Sequence, residues 1–146
     1  MSDDRVLVSR EAVTADGASL PAGPYSHAIR SGDLLFISGQ GPFDDQGQLR
    51  GETFAEQVLA AFDNLAVIAA AAGGDIRNMV RLGAYLKDFT RFAEYNEIMR
   101  DYLPVPYPAR TTVPVPTLGF AIELDAVIAL APRGRWQPDP SSGVAG

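Results

Sequence analysis

The sequence has no cysteine and a single histidine, His27, among 146 residues. Without cysteine the chain can form neither disulfide bonds nor thiolate sites, and one histidine cannot assemble the nitrogen and sulfur ligands that zinc prefers. A lone histidine is usually structural, and nothing nearby supplies a catalytic triad. We therefore predict no metal and no cofactor, although the composition does not exclude a metal bound by oxygen ligands. We also do not include His27 among the catalytic residues.

Basic charge and long apolar runs are also scarce. Twelve Lys and Arg stand against 18 Asp and Glu, a net charge of -6. Phosphate binding needs clustered basic residues, so we expect no nucleic-acid partner, although a local basic groove in an oligomer would escape this test. Acidic residues interrupt every apolar stretch in the first twenty positions, so we expect no signal-peptide segment or membrane span there. We expect a cytoplasmic protein with no membrane contact.

Common nucleotide and hydrolase motifs are missing. The chain has no phosphate-binding loop and no nucleophile-elbow serine, and Gly39-Gln40-Gly41 lacks the third glycine of a dinucleotide fingerprint. The composition, 47% hydrophobic and 21% charged, fits one globular domain. We predict this domain over residues 1–131 and a flexible C-terminal tail, rich in Pro, Gly and Ser, over residues 132–146.

The first half of the domain carries the signals of a hairpin and a helix. Turn residues Ser31-Gly32-Asp33 separate two apolar runs, and the second, Leu34 to Ser38, is apolar enough to be a central strand. Thr53 and Glu56 predict a capping box that opens a helix running to about Ala72. Its predicted buried stripe comprises Val58, Phe62, Leu65, Ala66 and Ala69.

The second half repeats the helix-and-strand pattern. Alternation predicts a strand from Val80 to Leu86, a strand from Ala109 to Val115, and a long strand from Phe120 to Leu130 with Glu123 and Asp125 on one face. The residues predicted to face the core in the first and last of these strands are Val80, Leu82, Ala84 and Leu86, and Phe120, Ile122, Leu124, Ala126 and Ile128. Helical spacing joins Phe92, Tyr95, Ile98, Met99 and Tyr102 before Pro104 ends the helix.

This order of elements predicts an α+β domain in which two helices cover one face of a single mixed sheet. In this arrangement no predicted element covers the other face of the sheet. Self-association is the natural way to bury such a face, so we expect a symmetric homo-oligomer.

Four stretches place polar residues inside apolar, element-forming sequence: Gly23-Pro24-Tyr25-Ser26-His27, Ile37-Ser38-Gly39-Gln40, Pro108-Ala109-Arg110-Thr111 and Ile122-Glu123-Leu124. From about Ala22 to Leu130 the sequence resembles the Rid family, also called YjgF/YER057c/UK114, of reactive-intermediate deaminases. The motifs that carry this resemblance are, in order, Ala22-Gly23-Pro24-Tyr25-Ser26, Leu35-Phe36-Ile37-Ser38-Gly39-Gln40-Gly41-Pro42, the helix end Ala72-Gly73, Phe92-Ala93-Glu94-Tyr95-Asn96-Glu97, Pro108-Ala109-Arg110 and Ile122-Glu123-Leu124. The resemblance implies a chorismate-mutase-like homotrimer with active sites between neighbouring subunits. It also implies that Arg110 binds a substrate carboxylate, that Glu123 binds the attacking water, and that Tyr25, Ser38 and Asn96 line the pocket.

The chemistry of these residues agrees with that resemblance. A guanidinium binds a carboxylate through two parallel hydrogen bonds, and Glu123 is the strongest general-base candidate in the matched motifs. The implied reaction converts enamine or imine acids, such as 2-aminoacrylate, 2-iminopropanoate and 2-iminobutanoate, into 2-keto acids and ammonia. Thr111 stands where archetypal deaminases usually have serine, which leaves room for another imine or a related enamine such as 2-aminomuconate.

Other interpretations stay open. From spacing alone, Arg110 is a solvated or salt-bridged strand residue, and Glu123 belongs to the polar face of a strand, pairing with Arg110 across the sheet. By default Tyr25 is an amphipathic interface aromatic, Ser38 is a strand-end hydroxyl paired with backbone, and Asn96 is a helix-face amide. At the level of function, the alternatives are a non-catalytic small-carboxylate-binding regulatory trimer and, less favoured, an endoribonuclease or translation inhibitor.

Overall fold

The computed structural model describes residues 9–133. The strands are β1 (Glu11–Val13), β2 (Ala28–Ser31), β3 (Leu34–Gln40), β4 (Met79–Leu86), β5 (Ala109–Pro114) and β6 (Ile122–Ala129). The α-helices are α1 (Phe54–Ala71) and α2 (Phe92–Tyr102), and 3-10 turns at Ile76–Asn78 and Phe89–Arg91 precede β4 and α2. The proposed tail lies outside the described residues from position 134 onward, so the domain boundary stays a prediction.

All six strands form one mixed sheet in the order β1-β2-β3-β6-β4-β5. The pair β4 and β5 is parallel, because α2 carries the chain back across the sheet between them, and the other pairs are antiparallel. The predicted single α+β domain with one mixed sheet and two helices is confirmed. Strand β3 lies between β2 and β6, as its apolar sequence predicted. Strand β1 was not predicted, since three residues are too few to show an alternating pattern.

Helix α1 forms the centre of the core. The Thr53 hydroxyl accepts from the Glu56 backbone N–H at 3.1 Å, while the Glu56 carboxylate accepts from the backbone N–H of Glu52 instead of Thr53. Although α1 is long and apolar enough to cross a membrane, 44% of its residues are buried inside the protein. Phe62, Leu65 and other α1 residues pack against the sheet, which makes it a core helix.

Three residues predicted for the core lie elsewhere. The prediction for Val80 was wrong: a register shift between β4 and β6 at Met79 and Arg81 turns Met79 inward and leaves Val80 46% exposed. Phe120 precedes β6 and is half-buried, with its ring edge-on to Phe43 at a centroid distance of 4.9 Å. Ala66 is also half-buried, at the border of the apolar face of α1.

Within residues 9–133, both helices lie on one face of the sheet and no element covers the other. Leu34, Phe36 and Val113 are 39%, 47% and 36% exposed. Glu123 and Asp125 alternate along β6 with buried residues and therefore point to this uncovered face.

Candidate functional site

Arg110 lies on the edge strand β5 and extends beneath α2. Its Nη1 donates to the Met99 sulfur at 3.2 Å, and its Cζ lies 5.1 Å from the ring centroid of Tyr95 and 5.5 Å from that of Phe92. These contacts hold the guanidinium over two aromatic faces. No carboxylate within residues 9–133 forms a salt bridge with Arg110. The alternative interpretation, in which Arg110 is a salt-bridged strand residue, therefore has no carboxylate partner to support it within residues 9–133.

A cavity of about 300 Å³ opens beside Arg110 and is lined by Asn96, Met99, Arg100, Tyr107 and Pro108 as well. Three buried side-chain atoms of the described chain have no hydrogen-bond partner: Tyr95 Oη, Asn96 Oδ1 and Thr112 Oγ1. All three belong to residues that contact Arg110, share its cavity, or follow it on β5. Because buried polar atoms are nearly always paired, this cluster indicates a place for a polar ligand or for ordered water.

Burial keeps the Tyr95 hydroxyl, which lies beside Arg110, protonated. Burial raises the pKa of Tyr95 to about 12, and the nearby guanidinium only partly opposes this shift. At neutral pH the Tyr95 hydroxyl therefore retains its proton.

Glu123 lies on the opposite face of the sheet, in register with Tyr85 on β4. Its carboxyl packs against the backbone of Gly39, where an added Cβ would lie 2.9 Å from the Glu123 Cδ. The carboxyl has no hydrogen-bond partner among the described side chains. Burial, and then the charge of Asp125, raise the pKa of Glu123 above that of an ordinary glutamate. A raised pKa makes the Glu123 carboxylate a stronger base than an ordinary glutamate, which suits a general-base role.

Asp125 is held beside Glu123 by a cross-strand contact. The Tyr85 hydroxyl donates to Asp125 Oδ2 at 2.8 Å, and this bond raises the pKa of Tyr85. Gly83 lies opposite Asp125 on the neighbouring strand, and a Cβ at position 83 would clash with the Asp125 carboxylate. The bond orients the Asp125 carboxylate and keeps its negative charge close to Glu123.

Glu123 lines a second cavity, of about 350 Å³, together with Tyr25 and His27. The His27 Nδ1 accepts from the Ala15 backbone N–H at 3.0 Å, so Nε2 carries the proton and donates to the Ser19 carbonyl at 2.7 Å. His27 is 3% exposed. Its two hydrogen bonds fix the segment that forms one wall of this cavity, which is a structural role.

The remaining predicted site residues are divided between these regions. Tyr25 lines the Glu123 cavity, with its hydroxyl accepting from the Ala22 backbone N–H at 2.9 Å. Asn96 lines the Arg110 cavity. Ser38 lines neither, because its hydroxyl donates to the Ser26 carbonyl at 2.7 Å. Ser38 therefore has the backbone partner that its ordinary structural interpretation anticipated.

One chain does not bring Arg110 and Glu123 together. Strand β4 lies between β5 and β6, so the two backbones are about 10 Å apart across the sheet. The side chains also point to opposite faces, and the two cavities share no lining residue. The interpretation that Glu123 pairs with Arg110 across the sheet is wrong. A site that uses both groups must combine two copies of the chain.

Sequence reasoning missed several residues of these regions. Met99, Arg100 and Tyr107 line the Arg110 cavity, while Gly39 and Asp125 flank Glu123. Met99 was assigned to the core through its helical spacing. Gly39 stood inside a stretch marked as functional, and the polar interruption of an apolar strand was the signal that could have identified its close contact.

Comparison with known proteins identifies the family. Residues 16–130 match the family described as Endoribonuclease L-PSP. The RutC family protein y4sK of Sinorhizobium fredii is 39% identical over 123 residues, covering 82% of this chain and 98% of that protein. Reactive Intermediate Deaminase A of Arabidopsis thaliana chloroplasts is 33% identical over 126 residues, covering 84% of this chain and 67% of that protein.

A solved structure extends this similarity to the fold. RidA from the Antarctic bacterium Psychrobacter sp. PAMC 21119 superposes with a TM-score of 0.78 at 35% identity, covering 83% of this chain and 100% of that one. The chain is thus an α+β protein of the YjgF/Rid class. It belongs to the Endoribonuclease L-PSP (YjgF/Rid) family, which confirms the resemblance stated from its motifs.

Proposed function

We propose that this protein is a deaminase that hydrolyses reactive 2-imino acids and their enamine tautomers at a site shared by two copies in a homotrimer. The observation that carries the proposal is the Arg110 guanidinium, which lies in an open cavity without a carboxylate partner among residues 9–133 and beside unpaired buried polar atoms. The relatives named Reactive Intermediate Deaminase A and RidA support the same reaction class.

Arg110 provides the binding chemistry. Its planar fork of N–H groups donates two parallel hydrogen bonds to the substrate carboxylate, which fixes the position and the orientation of the adjacent C=N group. Asn96 Oδ1 is a buried acceptor without a partner in the same cavity. It accepts the N–H of a protonated imine, and this bond pairs an oxygen that is otherwise unsatisfied.

Glu123 of a second copy provides the base. It removes a proton from a water molecule as the water oxygen adds to the electrophilic C=N carbon, and the resulting carbinolamine carries a hydroxyl and an amine on one carbon. The proton passes to the nitrogen, the C–N bond breaks, and loss of the hydroxyl proton forms the ketone. One imine and one water thus yield one 2-keto acid and one ammonia, and the carboxylate is restored.

The uncovered sheet face supports the assembly. Exposed Leu34, Phe36 and Val113 form apolar surface beside Glu123 on that face. In a closed cyclic trimer, one surface of each copy meets a different surface of its neighbour, so every Glu123 can meet an Arg110 from an adjacent chain. The proposed reaction needs no metal, cofactor, nucleic acid or membrane, and the cytoplasmic location stays a prediction from sequence.

The test uses 2-iminopropanoate and 2-iminobutanoate, generated in the cuvette by an amino-acid oxidase from alanine and 2-aminobutanoate, with semicarbazide trapping the remaining imine. We expect the wild type to accelerate imine loss, and Arg110→Met and Glu123→Gln to abolish that acceleration. Methionine retains an apolar stem against the rings of Tyr95 and Phe92, so Arg110→Met spares the packing that alanine would remove. The exposed Arg77→Gln is the matched control.

A binding-only trimer is the second candidate, because the Arg110 cavity is complete without Glu123. Wild-type protein that binds 2-oxobutanoate in an Arg110-dependent manner, yet leaves every imine untouched, would favour this candidate. The family description also names an endoribonuclease, against which the net charge of -6 argues. RNA cleavage that disappears in Arg110→Met would support that activity in place of the deaminase.

A further inference from the structure

The Arg110 cavity contains a second guanidinium that the proposed reaction of monocarboxylic imines does not use. Arg100 lies on α2 one turn after Asn96, and both residues line the cavity with Arg110. None of the six lining residues is acidic. Two cations that share a small cavity repel one another, and this repulsion is relieved when a ligand brings negative charge.

Arg100 is not neutralised by the acidic residues beside it in the described chain. Glu97 precedes it by one helical turn and Asp101 follows it directly, yet no salt bridge joins Arg100 to a carboxylate within residues 9–133. Arg91, at the start of the same helix, shows the contrast: its Nη1 lies 3.1 Å from the Glu94 carboxylate. The exposed Arg100 guanidinium therefore keeps its donors for a ligand.

Building on the proposed function, we propose that the preferred substrates are 2-imino dicarboxylates of four or five carbons, with the α-carboxylate on Arg110 and the distal carboxylate on Arg100. Asn96, which lines the same cavity, accepts a hydrogen bond from the imine N–H. The cavity of about 300 Å³ lies at the small end of ligand sites, which suits a C4 or C5 dicarboxylate. Hydrolysis balances as before, with water consumed and a 2-keto dicarboxylate and ammonia released.

The substrate chemistry also defines the reactions that come before it. A 2-imino dicarboxylate forms when an acidic amino acid loses two electrons and two protons at its C–N bond to an oxidase or dehydrogenase. Such imines hydrolyse spontaneously, so this protein would accelerate the final step of that oxidation.

The kinetic test compares 2-iminoglutarate, generated from glutamate by glutamate oxidase, with 2-iminobutanoate. We expect wild-type kcat/KM to favour the dicarboxylate by about 10-fold or more, the value of one charged hydrogen-bonded pair. Arg100→Gln should lower kcat/KM for 2-iminoglutarate by about 10- to 100-fold, mainly through KM, and lower kcat/KM for 2-iminobutanoate by a much smaller factor, so that the preference for the dicarboxylate is lost. Arg100→Lys should restore part of the lost kcat/KM for 2-iminoglutarate, and Arg77→Gln should leave kcat/KM unchanged for both substrates.

The inference would be overturned if Arg100→Gln lowered kcat/KM equally for both substrates, or for neither.

A second experiment measures binding of the keto-acid products by calorimetry and does not depend on turnover. Wild type should bind 2-oxoglutarate about 10-fold more tightly than 2-oxobutanoate, and Arg100→Gln should remove that difference. If wild type hydrolyses no imine but shows this preference, the deaminase proposal fails while the dicarboxylate site stands; equal affinities would refute the site itself.

Discussion

Asn64 is a buried polar residue whose removal should substantially lower stability. It lies in the middle of α1, 1% exposed, and its Nδ2 donates to the Gly41 carbonyl at 3.0 Å and to the Phe43 carbonyl at 2.8 Å. Gly41 and Phe43 belong to the segment that lines the Glu123 cavity. Asn64 thus joins the core helix to the wall of the candidate site.

Replacing Asn64 with alanine removes both hydrogen bonds and leaves a space that the helix cannot fill. Each lost bond costs about 1–2 kcal/mol once the desolvated carbonyl is included, so Asn64→Ala should lower the free energy of unfolding by about 2–4 kcal/mol. For a domain of this size that corresponds to a fall in Tm of about 5–15 °C.

The assay is urea unfolding followed by far-ultraviolet circular dichroism, with wild type and variant at one protein concentration because self-association would add to the apparent stability. Asn78→Ala, at an exposed asparagine in the turn before β4, is the control and should change stability by less than about 0.5 kcal/mol. A loss below about 1 kcal/mol in Asn64→Ala would refute the claim that these two bonds anchor the cavity wall.

Two further predictions concern the surroundings of Glu123. Gly39→Ala places a methyl group 2.9 Å from the Glu123 Cδ, and the flexible carboxyl can move away. Imine hydrolysis should therefore fall about 10-fold or more while Tm stays nearly constant, whereas Gly119→Ala, with nothing within 4 Å, should alter neither; intact activity in Gly39→Ala would contradict the positioning argument. Asp125→Asn removes a charge that raises the pKa of Glu123, so the acidic limb of the kcat/KM profile should move to lower pH. A limb that stays in place or moves upward would exclude Glu123 as the titrating base or Asp125 as its modulator.

Local sequence signals predicted much of the fold because they act within single elements. Thr53 and Glu56 marked the start of α1, and alternation along β6 separated buried Leu124 from Glu123 and Asp125. The register shift at Met79 escaped this reasoning, since it depends on pairing between β4 and β6 and leaves no trace in the alternation of β4 itself.

The candidate site was harder to predict because its parts meet through tertiary structure. Arg110 and Glu123 were identified as residues, but their separation by β4 depends on the strand order and their opposite sheet faces depend on the pairing register, and the sequence pattern encodes neither. Asn64 is a polar residue within the largely apolar sequence of α1, and its two hydrogen bonds to the Gly41 and Phe43 carbonyls form only through tertiary structure. Residues that act across elements are the ones that pattern analysis misses.

The central claim is that Arg110 of one chain works with Glu123 of another, and subunit mixing tests it most directly. Arg110→Met and Glu123→Gln, each inactive alone, are unfolded together at equal concentration and refolded as mixed oligomers. A site between chains regains both wild-type groups whenever a Glu123→Gln copy supplies the arginine and an Arg110→Met copy supplies the glutamate, which occurs at about one quarter of sites. Recovery of about one quarter of wild-type imine hydrolysis is the predicted result; mixed oligomers as inactive as the parents would contradict the shared site.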